Sequence, residues 1–177
     1  ARGDSEGALG LLDEAQRLFI RTPLPDARPL PALRARIRVR QGRVAEASEW
    51  ARERGLSTDE DLDYLHEFEH VTLARVLIAR CESGRADRAL EDALGLLERL
   101  LRAAEQGGRM GSAIEILALQ ALAHQALGDI PSALGPLGRA LSLAEPEGYV
   151  LVFVNEGLQM AHLLQEAVSH GAAPDSA

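Results

Sequence analysis

GRVAEA, at residues 42–47, is the stretch that decides the fold, because its pattern of a glycine with an alanine five positions later occurs four times. The copies are Gly3/Ala8, Gly42/Ala47, Gly84/Ala89 and Gly128/Ala133, at intervals of 39, 42 and 44 residues. In each copy an apolar stretch ends at the glycine, a polar or charged residue follows, and a second amphipathic stretch begins. Glycine accepts the positive φ needed just beyond a helix C-terminus, and alanine lets two helices cross closely. The pattern predicts consecutive helix-turn-helix hairpins.

The apolar spacing between these turns predicts about four hairpins, of which the first is truncated. We expect helices at about 4–20, 30–41, 43–54, 62–82, 87–106, 110–127 and 130–144, then a short helix at 149–155 and a capping helix at 156–168. Asp4 is placed to cap the first helix, and Ser57 or Thr58 to cap the one beginning near residue 62.

Three further features mark the repeat framework. The lone Trp50 lies on the second helix of its pair, and Pro146 with Gly148 forms a stop signal before Tyr149. The 46% hydrophobic and 3% aromatic content suits helix-on-helix packing rather than a sheet. We therefore predict an all-α, tetratricopeptide-like (TPR-like) superhelix over residues 1–170, with 171–177 as a linker or disordered tail.

Charge and cysteine content exclude several functions. The net charge of -8 and the pI of about 5.1 predict repulsion from phosphate backbones and anionic lipid, so we expect no direct nucleic-acid or membrane binding. One cysteine, Cys81, cannot form an internal disulfide. No apolar run has the length of a membrane span, and the start does not resemble a signal peptide. Cytoplasmic localisation is the expectation.

One motif suggests metal chemistry. His66-Glu67-Phe68-Glu69-His70 matches the H-E-x-x-H pattern of zinc metalloproteases. A zinc protease also requires a third ligand and a substrate-binding edge strand, and the sequence offers neither. The repeat register explains the segment differently: Leu65, Phe68 and Val71 form a buried stripe and the two histidines lie on another sector. We expect no metal site, no catalytic residue and no enzymatic activity.

Two charged residues fall inside apolar sectors of predicted first helices. Arg75 lies among Phe68, Val71, Ile78 and Ala79 on its helical wheel, and Glu115 lies among Ala118, Leu119, Leu122 and Ala126. First helices line the concave surface of such solenoids side by side, so we expect this pair to face one another or the groove. Together with Gln120 and His124, they are the candidate effector-binding residues. The alternative is a structural ion pair that ties neighbouring repeats.

A glycine-rich segment at 107–112 is no phosphate loop, because it lacks the Lys-Ser/Thr pair and a preceding strand. At most it receives an anion at a helix N-terminus.

Four ordered blocks, spread over nearly the whole chain, resemble one known family. They are WA-x3-GLS at 50–57, E-x-E-x2-TLARVL at 67–77, GS-x-IEIL-x-LQALA at 111–123 and AEPEGY-x3-FVNEG at 144–157. This combination is similar to the large ATP-dependent LuxR-family transcriptional regulators of the MalT-like group. Asn155 stands where many members have Asp, which removes a charge from that position.

The resemblance implies a helical-repeat sensor region within a longer bacterial regulator. An ATPase module would precede it and a helix-turn-helix DNA-binding domain would follow it, so ATP and DNA would be bound outside this fragment. An effector on the repeats, a small molecule or a protein, would favour assembled, promoter-binding oligomers. The alternative function is a protein-protein interaction scaffold that holds a peptide or partner domain in its groove.

Overall fold

The structure is a computed structural model that describes residues 4–18, 27–82, 87–169 and 171, and within these ranges it contains helices and no strand. The nine α-helices of the described part are α1 (Ser5–Leu18), α2 (Leu30–Arg40), α3 (Val44–Arg54), α4 (Glu67–Glu82), α5 (Asp87–Gln106), α6 (Met110–Ala126), α7 (Ile130–Ala144), α8 (Val150–Val154) and α9 (Leu158–Ser169). A turn of 3-10 helix at Tyr64–His66 precedes α4. The all-α prediction is confirmed.

The helices form the expected hairpins α2–α3, α4–α5 and α6–α7, and α1 packs on α2. The expected short helix and capping helix, α8 and α9, contact each other as a further hairpin. The first helices α2, α4, α6 and α8 contact one another in sequence order, and this row is called the inner wall below. Helix α6 is the centre of the structure, since it contacts α4, α5, α7, α8 and α9. Its apolar residues surround most of its circumference, which is the pattern of a fully enclosed helix.

Small residues make these crossings close. Ala47 and Ala133, which follow the turn glycines by five positions, are completely buried. Ala35, Ala113 and Ala118 on the inner-wall helices are also 0% exposed. Close contact between backbones is possible there because alanine adds a single methyl group to the interface. The predicted role of the small residue in the repeat is confirmed at these positions.

The turn glycines adopt the predicted conformation wherever they are described. Gly42 has φ of +75° and Gly128 has φ of +77°, the left-handed region that disfavours other residues. Gly148, in the turn that follows α7, also has a left-handed backbone, with φ of +66°. Gly84 lies outside the described residues, as do Gly3 and residues 19–26, where the first helix was expected to end.

Helix capping confirms one prediction and corrects another. Asp4 Oδ1 accepts a hydrogen bond of 2.8 Å from the Gly7 amide, as expected for an N-cap. The expected cap at Ser57 or Thr58 is wrong, because Asp63 takes that role with 2.7 Å and 3.0 Å bonds from the Leu65 and His66 amides. A carboxylate held in extended backbone directly before the helix competes better than a hydroxyl several residues away.

The last helix also differs from expectation, since it begins at Leu158 rather than at 156. Among the described helices, none has both the length and the apolar composition of a membrane-spanning segment.

Candidate functional site

Four charged side chains meet on the inner wall, and we call them the ion cluster: Arg36 on α2, Arg75 on α4, Glu115 on α6 and Glu156 just after α8. Successive members are 39, 40 and 41 residues apart in the sequence. These intervals are close to the repeat length, so each of the four hairpins contributes one charge from its first helix or the turn that follows. Two cations and two anions leave the cluster with no net charge.

Arg75 is the centre of the cluster because it binds both carboxylates. Its Nη1 and Nη2 atoms donate to Glu156 Oε2 and Oε1 at 2.6 and 2.7 Å, a two-pronged arrangement. Nη2 and Nε also donate to Glu115 Oε1, at 2.9 and 3.3 Å. The side chains of Arg75 and Glu156 are 17% and 9% exposed, so this contact is largely removed from water.

Arg36 closes the N-terminal side of the cluster. Its Nη1 donates to Glu115 Oε1 at 2.7 Å, and its Nε donates to Thr72 Oγ1 at 2.8 Å. The guanidinium carbon lies 3.7 Å from the centroid of the Phe68 ring, a cation–π contact. Glu115 is therefore held by arginines from two different hairpins.

The electrostatic environment favours the charged forms of Arg75 and Glu115 and disfavours that of Arg36. Burial would lower the pKa of Arg75, yet the carboxylates of Glu156 and Glu115 outweigh burial and raise that pKa above its ordinary value. Burial dominates at Arg36 and lowers its pKa to about 10, although Glu115 opposes the shift. For Glu115, burial favours the neutral acid, but Arg36 and Arg75 reverse this and lower the pKa of the carboxyl.

The structure brings together two of the four predicted effector residues. Arg75 and Glu115 contact each other, as their positions in apolar sectors predicted. Gln120 and His124 lie five and nine positions beyond Glu115 on α6, which corresponds to a rise of about 7.5 and 13.5 Å along the helix. The His124 carbonyl accepts the Asp129 amide at 3.0 Å, which places it at the α6–α7 turn. Effector binding by these four residues stays a prediction.

Sequence reasoning missed Arg36 and Glu156. The signal that could have found them is the recurrence of one charge per repeat at nearly constant spacing, a pattern hidden because the sign changes from arginine to glutamate along the row. At the α8–α9 turn, the family resemblance singled out Asn155, which is exposed. The charge that contacts the inner wall belongs to its neighbour Glu156.

The H-E-x-x-H segment contains one correction. His70 is 1% exposed and Leu65 is 41% exposed, so the expectation that Leu65 lies in the buried stripe and His70 outside it is wrong. The 3-10 turn at 64–66 has three residues per turn and rotates this segment relative to a continuous α-helix. His66 Nδ1 contacts Asp63 Oδ2 at 2.6 Å, and His70 Nδ1 lies 3.0 Å from the His66 carbonyl oxygen.

Glu67, which would be the general base of that motif, instead binds the glycine-rich segment at 107–112, where α6 begins. It accepts hydrogen bonds from Ser112 Oγ at 2.6 Å and from Arg109 Nε at 2.9 Å. Arg109 also lies 5.4 Å from the centroid of the Tyr64 ring. Across the described ranges, no three histidine, cysteine, aspartate or glutamate side chains are grouped to hold a metal ion.

Two surface grooves lie away from the ion cluster. One, of about 1060 Å³, lies between α3 and α4 and is lined by apolar side chains such as Leu56, Leu73 and Leu77 with charged residues at its edge. Another, of about 470 Å³, lies along α5 beside Arg99 and Arg102. Neither groove includes a predicted effector residue.

Comparison with known proteins gives one match. The profile of the family described as the MalT-like TPR region matches residues 1–170. Searches of curated proteins and of solved structures returned no match.

Proposed function

The chain belongs to the MalT-like TPR region family, and from this premise we propose that it is the sensor and oligomerisation repeat domain of a bacterial transcriptional regulator. Its role is binding, without catalysis. An effector, either a small molecule or a protein, binds the inner wall and changes how the domain contacts the rest of the regulator. The ATPase module and the DNA-binding domain belong to other parts of that protein, which acts in the cytoplasm.

The observation that carries this proposal is the ion cluster. It joins four successive hairpins through side chains that are 9% to 24% exposed, so a few hydrogen-bonded charges add to the apolar packing that holds those hairpins together. A polar effector that competes for Arg75 or Glu115 exchanges one set of such bonds for another. If it binds one curvature of the solenoid more tightly, it shifts the population toward that curvature.

The chain's charge supports the placement of DNA contacts elsewhere. A domain with a net charge of -8 is repelled by a phosphate backbone. Promoter binding therefore belongs to a separate domain, with which the repeats communicate by contact. The effector-dependent step is an equilibrium between shapes of one folded domain, for which no cofactor is required in the repeats.

The test is a thermal-unfolding panel of metabolites with the wild-type chain and the Glu115→Gln variant. A bound effector raises the midpoint of unfolding of the wild type, because a ligand that binds the folded state alone stabilises it. The same compound should have a much smaller effect on Glu115→Gln. The control is Glu91→Gln on the exposed side of α5, which should respond like the wild type.

One observation favours a second candidate, a scaffold that binds a peptide or partner domain. Arg36 and Arg75 lie at corresponding positions of successive first helices, as the clamps of a peptide groove would. In this chain both arginines are already paired with glutamates, which ranks the scaffold second. A panel that yields no stabilising metabolite, together with tight binding of a protein segment to the inner wall, would reverse the ranking.

A further inference from the structure

The C-terminal hairpin α8–α9 is packed on one side and carries large apolar side chains on the side that faces solvent. Its inward residues are almost fully buried: Phe153, Met160, Leu163 and Ala167. Its outward apolar residues are 60% to 75% exposed: Val150, Leu151, Val154, Leu158 and Val168. Helix α8 has 5 residues and α9 has 12, so the hairpin is also the shortest of the described ones.

A buried charge supplements this one-sided packing. Glu156 lies in the turn between α8 and α9, and both of its carboxylate oxygens accept hydrogen bonds from Arg75. Arg75 belongs to α4, two hairpins earlier, so the pair joins two hairpins that are not neighbours in the chain. Helix contacts with α6 and α7 hold the hairpin from one direction, and Arg75 holds its turn from another.

We propose that α8–α9 is a latch, a unit that opens and closes on α6 and α7, and that the Arg75–Glu156 pair holds it shut. Elements with few buried contacts open locally at a lower free energy than the core of a protein. When the hairpin opens, the apolar faces of α6 and α7 beneath it become accessible. The inference goes beyond the proposed function, because it concerns a motion that exists with or without an effector.

Because Glu115 and Glu156 share Arg75, a change at the inner wall can alter how firmly the latch is held. The same guanidinium binds Glu115 on the inner wall and Glu156 on the latch. A change in the Glu115 contact alters the position or charge balance of Arg75 and thereby its hold on Glu156. The inner wall and the C-terminal end of the domain are coupled through one side chain, without a rearrangement of the core.

Hydrogen–deuterium exchange of the full 177-residue chain, read by mass spectrometry, tests the latch. The variant is Glu156→Gln, which keeps the size of the side chain and removes its charge. Loss of one partner of a buried pair should accelerate exchange in peptides covering 150–169 by about ten- to a hundredfold, while α4 and α5 peptides keep the wild-type rate. The matched control is Glu147→Gln, in the exposed turn before α8, which should leave all rates unchanged.

Two results would overturn the latch. One is unchanged exchange at 150–169, which would mean that the pair does not restrain the hairpin. The other is equal acceleration in every helix, which would mean that the pair supports the whole fold rather than a separable unit. Should Glu156→Gln not fold, Glu156→Asp decides by the same criteria, since it keeps the charge but shortens the side chain. None of these measurements uses an effector, so failure of the proposed function would not affect them.

Discussion

Arg75 and Glu156 are 81 positions apart in the sequence and are joined by two hydrogen bonds of 2.6 and 2.7 Å. In a repeat protein most contacts connect neighbouring units, so stability is close to a sum of unit and interface terms. A buried contact between the α4 and α8–α9 hairpins departs from that rule. It makes the C-terminal hairpin depend on a residue in the middle of the array.

The two arginines of the cluster should differ in their effect on stability. We expect Arg75→Met to lower the free energy of unfolding by about 3–5 kcal/mol, because two largely buried carboxylates lose their common partner. Arg36→Met should cost less than half as much, since burial already disfavours its charge in the folded state and Glu115 keeps Arg75. Urea unfolding of both variants measures the difference. Equal losses would contradict the assignment of Arg75 as the centre.

Acid should weaken the protein partly through Glu115. The pKa of this carboxyl is lowered in the folded state and lies near 4.5 when unfolded. Its stabilising contribution is therefore complete above about pH 4.5 and is lost as the pH falls through the folded-state pKa. Between pH 6 and pH 3.5, wild-type stability should fall more steeply than that of Glu115→Gln, by urea unfolding at each pH. Parallel curves for the two proteins would refute this.

Alanine at the turn glycines should destabilise the hairpins. Gly42→Ala and Gly128→Ala each force a side chain into the left-handed region, at a cost of about 1–2 kcal/mol. Apart from the adjacent residues of the chain, no atom lies within 4 Å of the added methyl at either position, so the cost comes from the backbone conformation. Thermal unfolding gives the shift in midpoint.

The matched control is Gly95→Ala, at an exposed position within α5 that also has open space. Alanine is the better helix former there, so we expect a gain of about 0.5–1 kcal/mol. If all three substitutions changed stability in the same direction, positive φ would not explain the glycines.

The start of α4 offers a direct comparison of two caps. Asp63→Ala removes the acceptor for two amides and should lower the free energy of unfolding measurably, because two amides at the start of the helix lose their partner. Ser57→Ala removes a single 3.2 Å bond to the Asp59 amide in an exposed loop and should change stability by less than about 0.5 kcal/mol. Chemical denaturation of the two variants ranks them, and a larger loss for Ser57→Ala would restore the cap predicted from sequence.

The fold could be predicted because it depends on local signals repeated along the chain. A glycine at a turn and an alanine five positions later both act within a single hairpin. In the structure Gly42 and Gly128 have positive φ, and Ala47 and Ala133 are buried, as their spacing predicts. The 3-10 turn before α4 could not be predicted from periodicity, because its geometry depends on a side-chain cap. That one turn changed which sides of the segment are buried and reversed the positions of Leu65 and His70.

The candidate site was only partly predictable. Helical wheels identify a charge among apolar neighbours, which was sufficient for Arg75 and Glu115. A wheel describes one helix and carries no information about a partner two hairpins away, so Glu156 was not found. Arg36 was missed for a related reason, since α2 is rich in arginine and its pattern does not single out one of them.

The glycine-rich segment at 107–112 already binds an anionic group of the same chain, the carboxylate of Glu67. Its carboxylate already takes the hydroxyl of Ser112 and the guanidinium of Arg109, the groups that an incoming phosphate would use. A nucleotide that binds at this end of α6 would have to displace the Glu67 carboxylate. That carboxylate has a high local concentration because it belongs to the same chain. Glu67 therefore acts as an intramolecular competitor of phosphate groups at the 107–112 segment.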